Sequence, residues 1–179
     1  MRTALLERVA RTVSIVFGGV FAGFMITILV LELSLRKYDA SVYTQVRKVE
    51  LVRMDTLATA TLIPTIIATA VVIALGLKWG SPGLGLSSVV LGLLLVVLVT
   101  TVVINLPINS DQLDWSVRRP PSDWTSDRDR WQAAHAVRTA AASLAFLCLV
   151  FSSGVHRARG GSEAVAAPHP ADLLVGAGR

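Results

Sequence analysis

Charge is what this chain has least of. Asp, Glu, Lys and Arg make up 16% of its 179 residues, where soluble domains average about 25%. With 53% hydrophobic residues, the scarcity excludes an ordinary water-soluble globule. Aromatics are few, at 6%, and no basic stripe with interleaved aromatics lies outside the membrane flanks, so nucleic acid is not an implied partner. The net charge of +5 is accounted for by flanking residues that meet anionic headgroups. Cysteine occurs once, at Cys148, which excludes an intramolecular disulfide and leaves a small lipid-compatible core residue. Histidine occurs three times, and His156 and His169 lie far along the tail. A first-row metal normally takes three protein ligands, so a metal at His135 stays open only if carboxylates such as Glu32, Glu50 or Asp111 complete it, and no fixed spacing supports that. Haem lacks a second axial histidine on a facing span. No A-x-A cleavage pattern follows the first apolar run, so Arg2, Arg8 and Arg11 precede a retained anchor. An inverted repeat is also missing, which argues against a transporter.

What the chain does have is four apolar runs, near 13–35, 56–77, 84–106 and 137–155. Each is about the length that crosses ~30 Å of hydrocarbon. Backbone amides in lipid must be paired within their own segment, so the runs predict an all-α, integral membrane four-helix bundle. The expected organisation is one domain over 1–155, with a polar insert between helices three and four. A Gly-, Ala-, Pro- and Ser-rich tail over 156–179 is expected to be disordered. The positive-inside rule puts the two long loops in the cytoplasm, and the expected location is the bacterial plasma membrane, multi-pass.

Several local features refine this. Tyr43, Arg47, Glu50, Met54 and Leu57 recur at helical spacing, so helix two starts before the membrane, near Ser41. Pro64 frees the carbonyl of Ala60, and Thr61, Thr65 and Thr69 share a face, which predicts a kinked helix with polar glue or a cavity at the kink. Breakers between Lys78 and Gly83 make helices two and three antiparallel neighbours, with Trp79 as an interfacial anchor. Gly19 and Gly23 form a small-xxx-small pair that suits packing within the monomer or a homo-oligomer. Glu32 is placed to pair with Arg36 one turn on.

The insert, 105–138, is the most informative stretch. A helix starting near Ser122, after Pro120 and Pro121, and running into the fourth span puts Trp124, Arg128, Trp131, His135 and Arg138 within an arc of about 80°. One reading is an amphipathic lead-in whose tryptophans float at the headgroups and whose arginines meet phosphate. The other is a site, since a headgroup belt has no use for His135 between Trp131 and Arg138. On the third span Thr101, Asn105 and Asn109 are four residues apart, with Pro107 bending the last turn. Asparagine is costly in hydrocarbon, so these two are either interhelical glue or ligand contacts.

The run Asn105-Leu106-Pro107-Ile108-Asn109, then Trp115, Pro120-Pro121-Ser122-Asp123-Trp124, Arg130-Trp131, His135 and Val137-Arg138-Thr139 resembles the signature of the anthrone oxygenase-like family of small four-helix membrane proteins. The resemblance reaches to about Phe151. Its most specific part is the combination Asn-x-Pro-x-Asn with Trp-x3-His-x2-Arg-Thr. The chain departs in having Ala133 and Ala134 where an aromatic is expected before His135, and in its long tail.

The resemblance implies a membrane-embedded enzyme that oxidises a flat anthrone-type aromatic with O2 to a quinone, without a cofactor. The roles it implies are His135 as general base, Asn105 and Asn109 as donors, Arg138 as electrostatic stabiliser, and Trp124, Trp131, Trp115 and Arg128 as substrate contacts. Its partners are then a hydrophobic aromatic small molecule and membrane lipid. The competing reading is a non-catalytic membrane protein that binds a lipid or quinone, or an accessory subunit of another membrane protein. The two part on whether the imidazole and both carboxamides converge on a common hollow.

Overall fold

The structure, a computed structural model, describes residues 2–79 and 83–166, with side chains for 3–79 and 83–153. Its elements are α1 (Arg2–Leu35), α2 (Ala40–Trp79), α3 (Leu84–Thr100), a π-helical turn (Thr101–Asn105), α4 (Leu106–Asp114) and α5 (Trp124–Ala166). Four stretches are long and apolar enough to cross a membrane: Thr3–Leu35, Ala40–Trp79, Leu84–Asp114 and Trp124–Ser153. The protein is therefore all-α and multi-pass, with α1 packed on α2 and α5, and α3 packed on α5 and α2.

The helices outrun the bilayer. At about 1.5 Å per residue, the 40 residues of α2 span roughly 60 Å, twice the hydrocarbon thickness. The polar first third of α2 therefore stands beside the insert, as the spacing from Tyr43 onward predicts. The helix begins at Ala40, where Asp39 accepts the backbone N–H of Val42 at 3.0 Å, an N-terminal capping bond.

The core sits in the membrane half. Phe21, Met25, Leu62, Val90, Leu94, Val97, Ala141, Ala142, Ala145 and Leu149 form one buried cluster. Its three alanines leave room for α5 to lie close to α3, the small-residue packing on which membrane helices rely. Gly19 serves the same end, since a Cβ there would stand 2.9 Å from the Phe146 ring, but Gly23 meets nothing within 4 Å. The close approach belongs to Gly18 and Gly19, which face α5 together, and Gly23 is no part of it.

The threonine face of α2 binds inward along its own helix. Thr61, Thr65 and Thr69 each donate to the carbonyl four residues earlier, at 2.8, 2.7 and 2.7 Å. Their hydroxyls are thus satisfied within α2 and do not bond across to a neighbouring helix. The turn expected between Lys78 and Gly83 falls on residues 80–82, outside the described residues. Trp79 is exposed, as an interfacial anchor requires. At the other end α5 continues to Ala166, eleven residues into the stretch expected to be a disordered tail. Alanine, arginine and glutamate there carry helix propensity and no proline intervenes before Pro168; residues 167–179 lie outside the described residues.

Candidate functional site

Where the four helices meet the insert they enclose a partly open cavity of about 170 Å³. Its lower wall is apolar, with Phe21, Phe24, Leu62 and Leu98. Its upper wall carries Arg47, Glu50, Asp55, Asn109, Trp131, His135 and Arg138. A cavity of ~150 Å³ holds one benzene, so this one encloses about one ring and a larger ring system extends through its open side.

Helix α5 supplies three groups from one face. Trp131, His135 and Arg138 are buried, at 4%, 2% and 7% exposure, on the stripe that the sequence spacing defines. The imidazole stacks on the Trp131 indole, with centroids 4.8 Å apart and planes 10° from parallel. His135 Nε2 lies 3.1 Å from the carbonyl oxygen of Met25. A carbonyl only accepts, so Nε2 carries the proton and Nδ1 carries the lone pair. Nδ1 is buried and has no hydrogen-bond partner among the described residues.

Arg138 is also incompletely met. Its Nη2 reaches only the Met25 sulfur, at 3.8 Å, and its Nε has no partner among the described residues. Asp55, on the cavity wall, is the carboxylate whose charge acts on it.

The other end of the stripe goes elsewhere. Trp124 is only half-buried and tilts against Tyr43 at 5.3 Å, Arg128 lies over the Trp124 ring at 4.9 Å, and Trp115 packs with Leu35 and Tyr43. Together these contacts hold the insert and the start of α5 against the end of α1 and the start of α2. None of Trp115, Trp124 and Arg128 lines the cavity. The stripe is one line on α5, but the cavity spans only its lower half.

The two asparagines separate as well, so the imidazole and both carboxamides do not converge on one hollow: Asn109 joins His135 on the cavity wall and Asn105 does not. The chain folds Thr101–Asn105 into a π-helical turn, which takes an extra residue per turn and breaks the four-residue phase linking Thr101, Asn105 and Asn109. Asn105 is fully buried away from the cavity, and its amide nitrogen donates to the backbone carbonyl of Trp131 at 3.3 Å. It ties this turn to α5 just where the indole leaves the backbone, so it positions Trp131. Asn109 does reach the cavity. Its Oδ1 accepts from Trp131 Nε1 at 2.7 Å and from Arg47 Nη2 at 2.9 Å. Two donors on one side fix the amide orientation, so its nitrogen is the donor that meets the Asp55 carboxylate on the cavity wall. Replacing Asn109 by alanine strands both buried donors, so detergent-state unfolding should show a loss of about 1–3 kcal/mol per orphaned group.

Arg47, which helical spacing places on the lead-in of α2 without giving it a partner, is the centre of this polar wall. Its Nη1 meets Glu32 at 3.1 Å and Glu50 at 2.6 Å. Its Nε donates to Gln112 at 2.8 Å, and its guanidinium lies 4.1 Å over the Trp131 ring. The expected Glu32–Arg36 pair does not form. Helix α1 ends at Leu35, so Arg36 falls out of helical phase; it turns to Gln132 at 2.7 Å and Asp129 at 2.9 Å. Glu32 is fully buried and takes Arg47 instead, with Gln132 donating to its Oε2 at 3.0 Å. Buried charges persist when paired and hydrogen-bonded in this way. Among the described residues no three His, Cys, Asp or Glu side chains stand close enough to hold a metal ion.

Fold and site together define a class: a small four-helix membrane protein with a histidine- and arginine-bearing cavity where its bundle meets a polar cap. A sequence model of the family described as anthrone oxygenase matches residues 54–148, more than half of the chain, and the protein belongs to that family. The match takes in Asn105, Asn109, Trp131, His135 and Arg138, while Glu32, Arg47 and Glu50 lie upstream of it. Comparison with curated proteins and with solved structures gives no match.

Proposed function

We propose that this protein is a membrane-embedded oxygenase that oxidises a flat, hydrophobic, anthrone-type aromatic with O2 to the quinone, without a cofactor. The observation that carries the reading is His135: a buried imidazole on the cavity wall, stacked on an indole, its Nε2–H anchored to the Met25 carbonyl and its Nδ1 lone pair unclaimed. That is the arrangement a general base needs.

The reaction follows from these groups. His135 Nδ1 takes one methylene proton from the anthrone, and the negative charge moves to the ring and its oxygen. Arg138 and the second N–H of the Asn109 amide stabilise that oxygen. The electron-rich anion transfers electrons to O2 and forms a C–O bond. The imidazolium returns its proton to the distal oxygen, giving a hydroperoxide. Loss of the second methylene proton with cleavage of the O–O bond gives the carbonyl and water. One anthrone and one O2 thus give one quinone and one water. The apolar lower wall keeps the anion from bulk solvent.

Metal-stripped protein in nanodiscs should consume one O2 for each anthrone converted to anthraquinone, followed by an oxygen electrode and by absorbance. Saturable binding of anthraquinone with no protein-dependent oxygen uptake would sink the enzyme and leave a quinone-binding membrane protein.

A further inference from the structure

The cavity wall is buried on two helices and open on the other two. Phe21 and Ile28 of α1 and Trp131, His135 and Arg138 of α5 are all buried. The exposed lining residues are Met54, Asp55, Thr59 and Ile63 of α2, with Val102 of the π-helical turn and Leu106 of α4. The opening is therefore a lateral slot between α2 and the 102–106 stretch. Its edges are apolar except for Thr59 and for Asp55 towards the polar third of α2, and apolar residues continue below it on both helices. A slot with such edges suits an opening onto the hydrocarbon edge of the bilayer.

The far wall is set differently. Arg138 carries a fixed charge that no direct ion pair neutralises among the described residues, and its Nε is buried without a partner. A guanidinium held in this way favours an anionic or strongly accepting oxygen.

We infer that the ligand is a membrane-dissolved flat aromatic that already bears an acidic oxygen, that it enters sideways through the slot between α2 and residues 102–106, and that Arg138 receives the oxygen. The volume fits this pose. About one ring fills the hollow, and a larger ring system keeps its remaining rings in the slot, against Thr59 and Val102. The inference deepens the oxygenase reading by naming its substrate class and route, yet binding tests it independently of turnover.

The experiment uses the full chain in phosphatidylcholine nanodiscs and follows energy transfer from tryptophan to anthracene carboxylate, or to anthracene as its uncharged counterpart. Wild type should bind the acid about tenfold more tightly than the hydrocarbon, the factor that one charge-assisted bond supplies. Arg138→Gln should lose that preference and Arg138→Lys should keep most of it. Thr59→Trp, an exposed change, should slow association of both probes alike. Binding is read without turnover, in the absence of any oxygen consumption, so failure of the oxygenase reading would leave this result standing. Equal binding of acid and hydrocarbon by wild type, or a preference that survives Arg138→Gln, overturns the assignment of the oxygen to Arg138. Unchanged association rates in Thr59→Trp overturn the lateral route. Competition by oleate as strong as by the anthracene acid overturns the aromatic class.

Discussion

Anthrone-dependent oxygen uptake should fall by about 10²- to 10⁴-fold in His135→Ala, the range that removal of a positioned general base spans. The loss has to be separated from damage to the fold, because the imidazole is buried and stacked on Trp131. His135→Phe makes that separation, as it keeps a ring against the indole and lacks the lone pair. It should be about as inactive as the alanine variant while retaining more stability. Added imidazole should restore part of the activity of His135→Ala, where a ring-sized hole remains, and none of that of His135→Phe. A folded His135→Phe that consumes oxygen at the wild-type rate would remove this residue as the base.

This prediction draws on a part of the site that the sequence displays openly. Trp131, His135 and Arg138 sit on one unbroken helix, so helical period alone puts them on a single face, and all three line the cavity. The four spans were equally legible, because lipid demands long apolar runs and these cannot be mistaken for much else.

The asparagines show where periodicity fails. A regular helix would carry Asn105 and Asn109 to the same face, but the chain inserts a π-helical turn over Thr101–Asn105, and nothing in the residues Thr, Val, Val, Ile and Asn announces it. One carboxamide accordingly reaches the cavity and the other holds the backbone of α5. A similar limit applies to Trp124 and Arg128. Phase along a helix gives direction, but it does not say where along the axis a cavity ends.

Arg47 was hidden for a different reason. Before the fold is known, an arginine 15 residues past Glu32 and 65 before Gln112 looks like one more flanking cation; the three-dimensional structure makes those separations into bonds of 3.1 and 2.8 Å. The one available signal was its place on the face with Tyr43, Glu50 and Met54, which already said that this part of α2 has an inner side. Local spacing pairs Glu32 with Arg36, and it fails because the helix stops between them.

Arg47→Met should be the most destabilising single substitution in the polar wall, at about 3–5 kcal/mol, the cost of removing one partner from a buried ion pair. The guanidinium is the cation between two carboxylates, Glu32 at 0% and Glu50 at 5% exposure. Without it both face each other in a site from which water is largely excluded. Gln112 and Asn109 lose a donor at the same stroke, and Trp131 loses the charge over its ring. Unfolding in mixed detergent and SDS measures the effect. Replacing Glu32 and Glu50 by glutamine in the Arg47→Met background should recover much of the loss, because a cluster without charge needs no counterion. Arg36→Met provides the contrast: its partner Asp129 is half-exposed, at 52%, and a surface pair of that kind is worth about 0–1 kcal/mol. If Arg47→Met proves as mild as Arg36→Met, the polar wall is not held by its central cation. Trp131 would then owe its position to Asn109, to Asn105 at its backbone, to the His135 ring and to packing against Ile28 and Ile108.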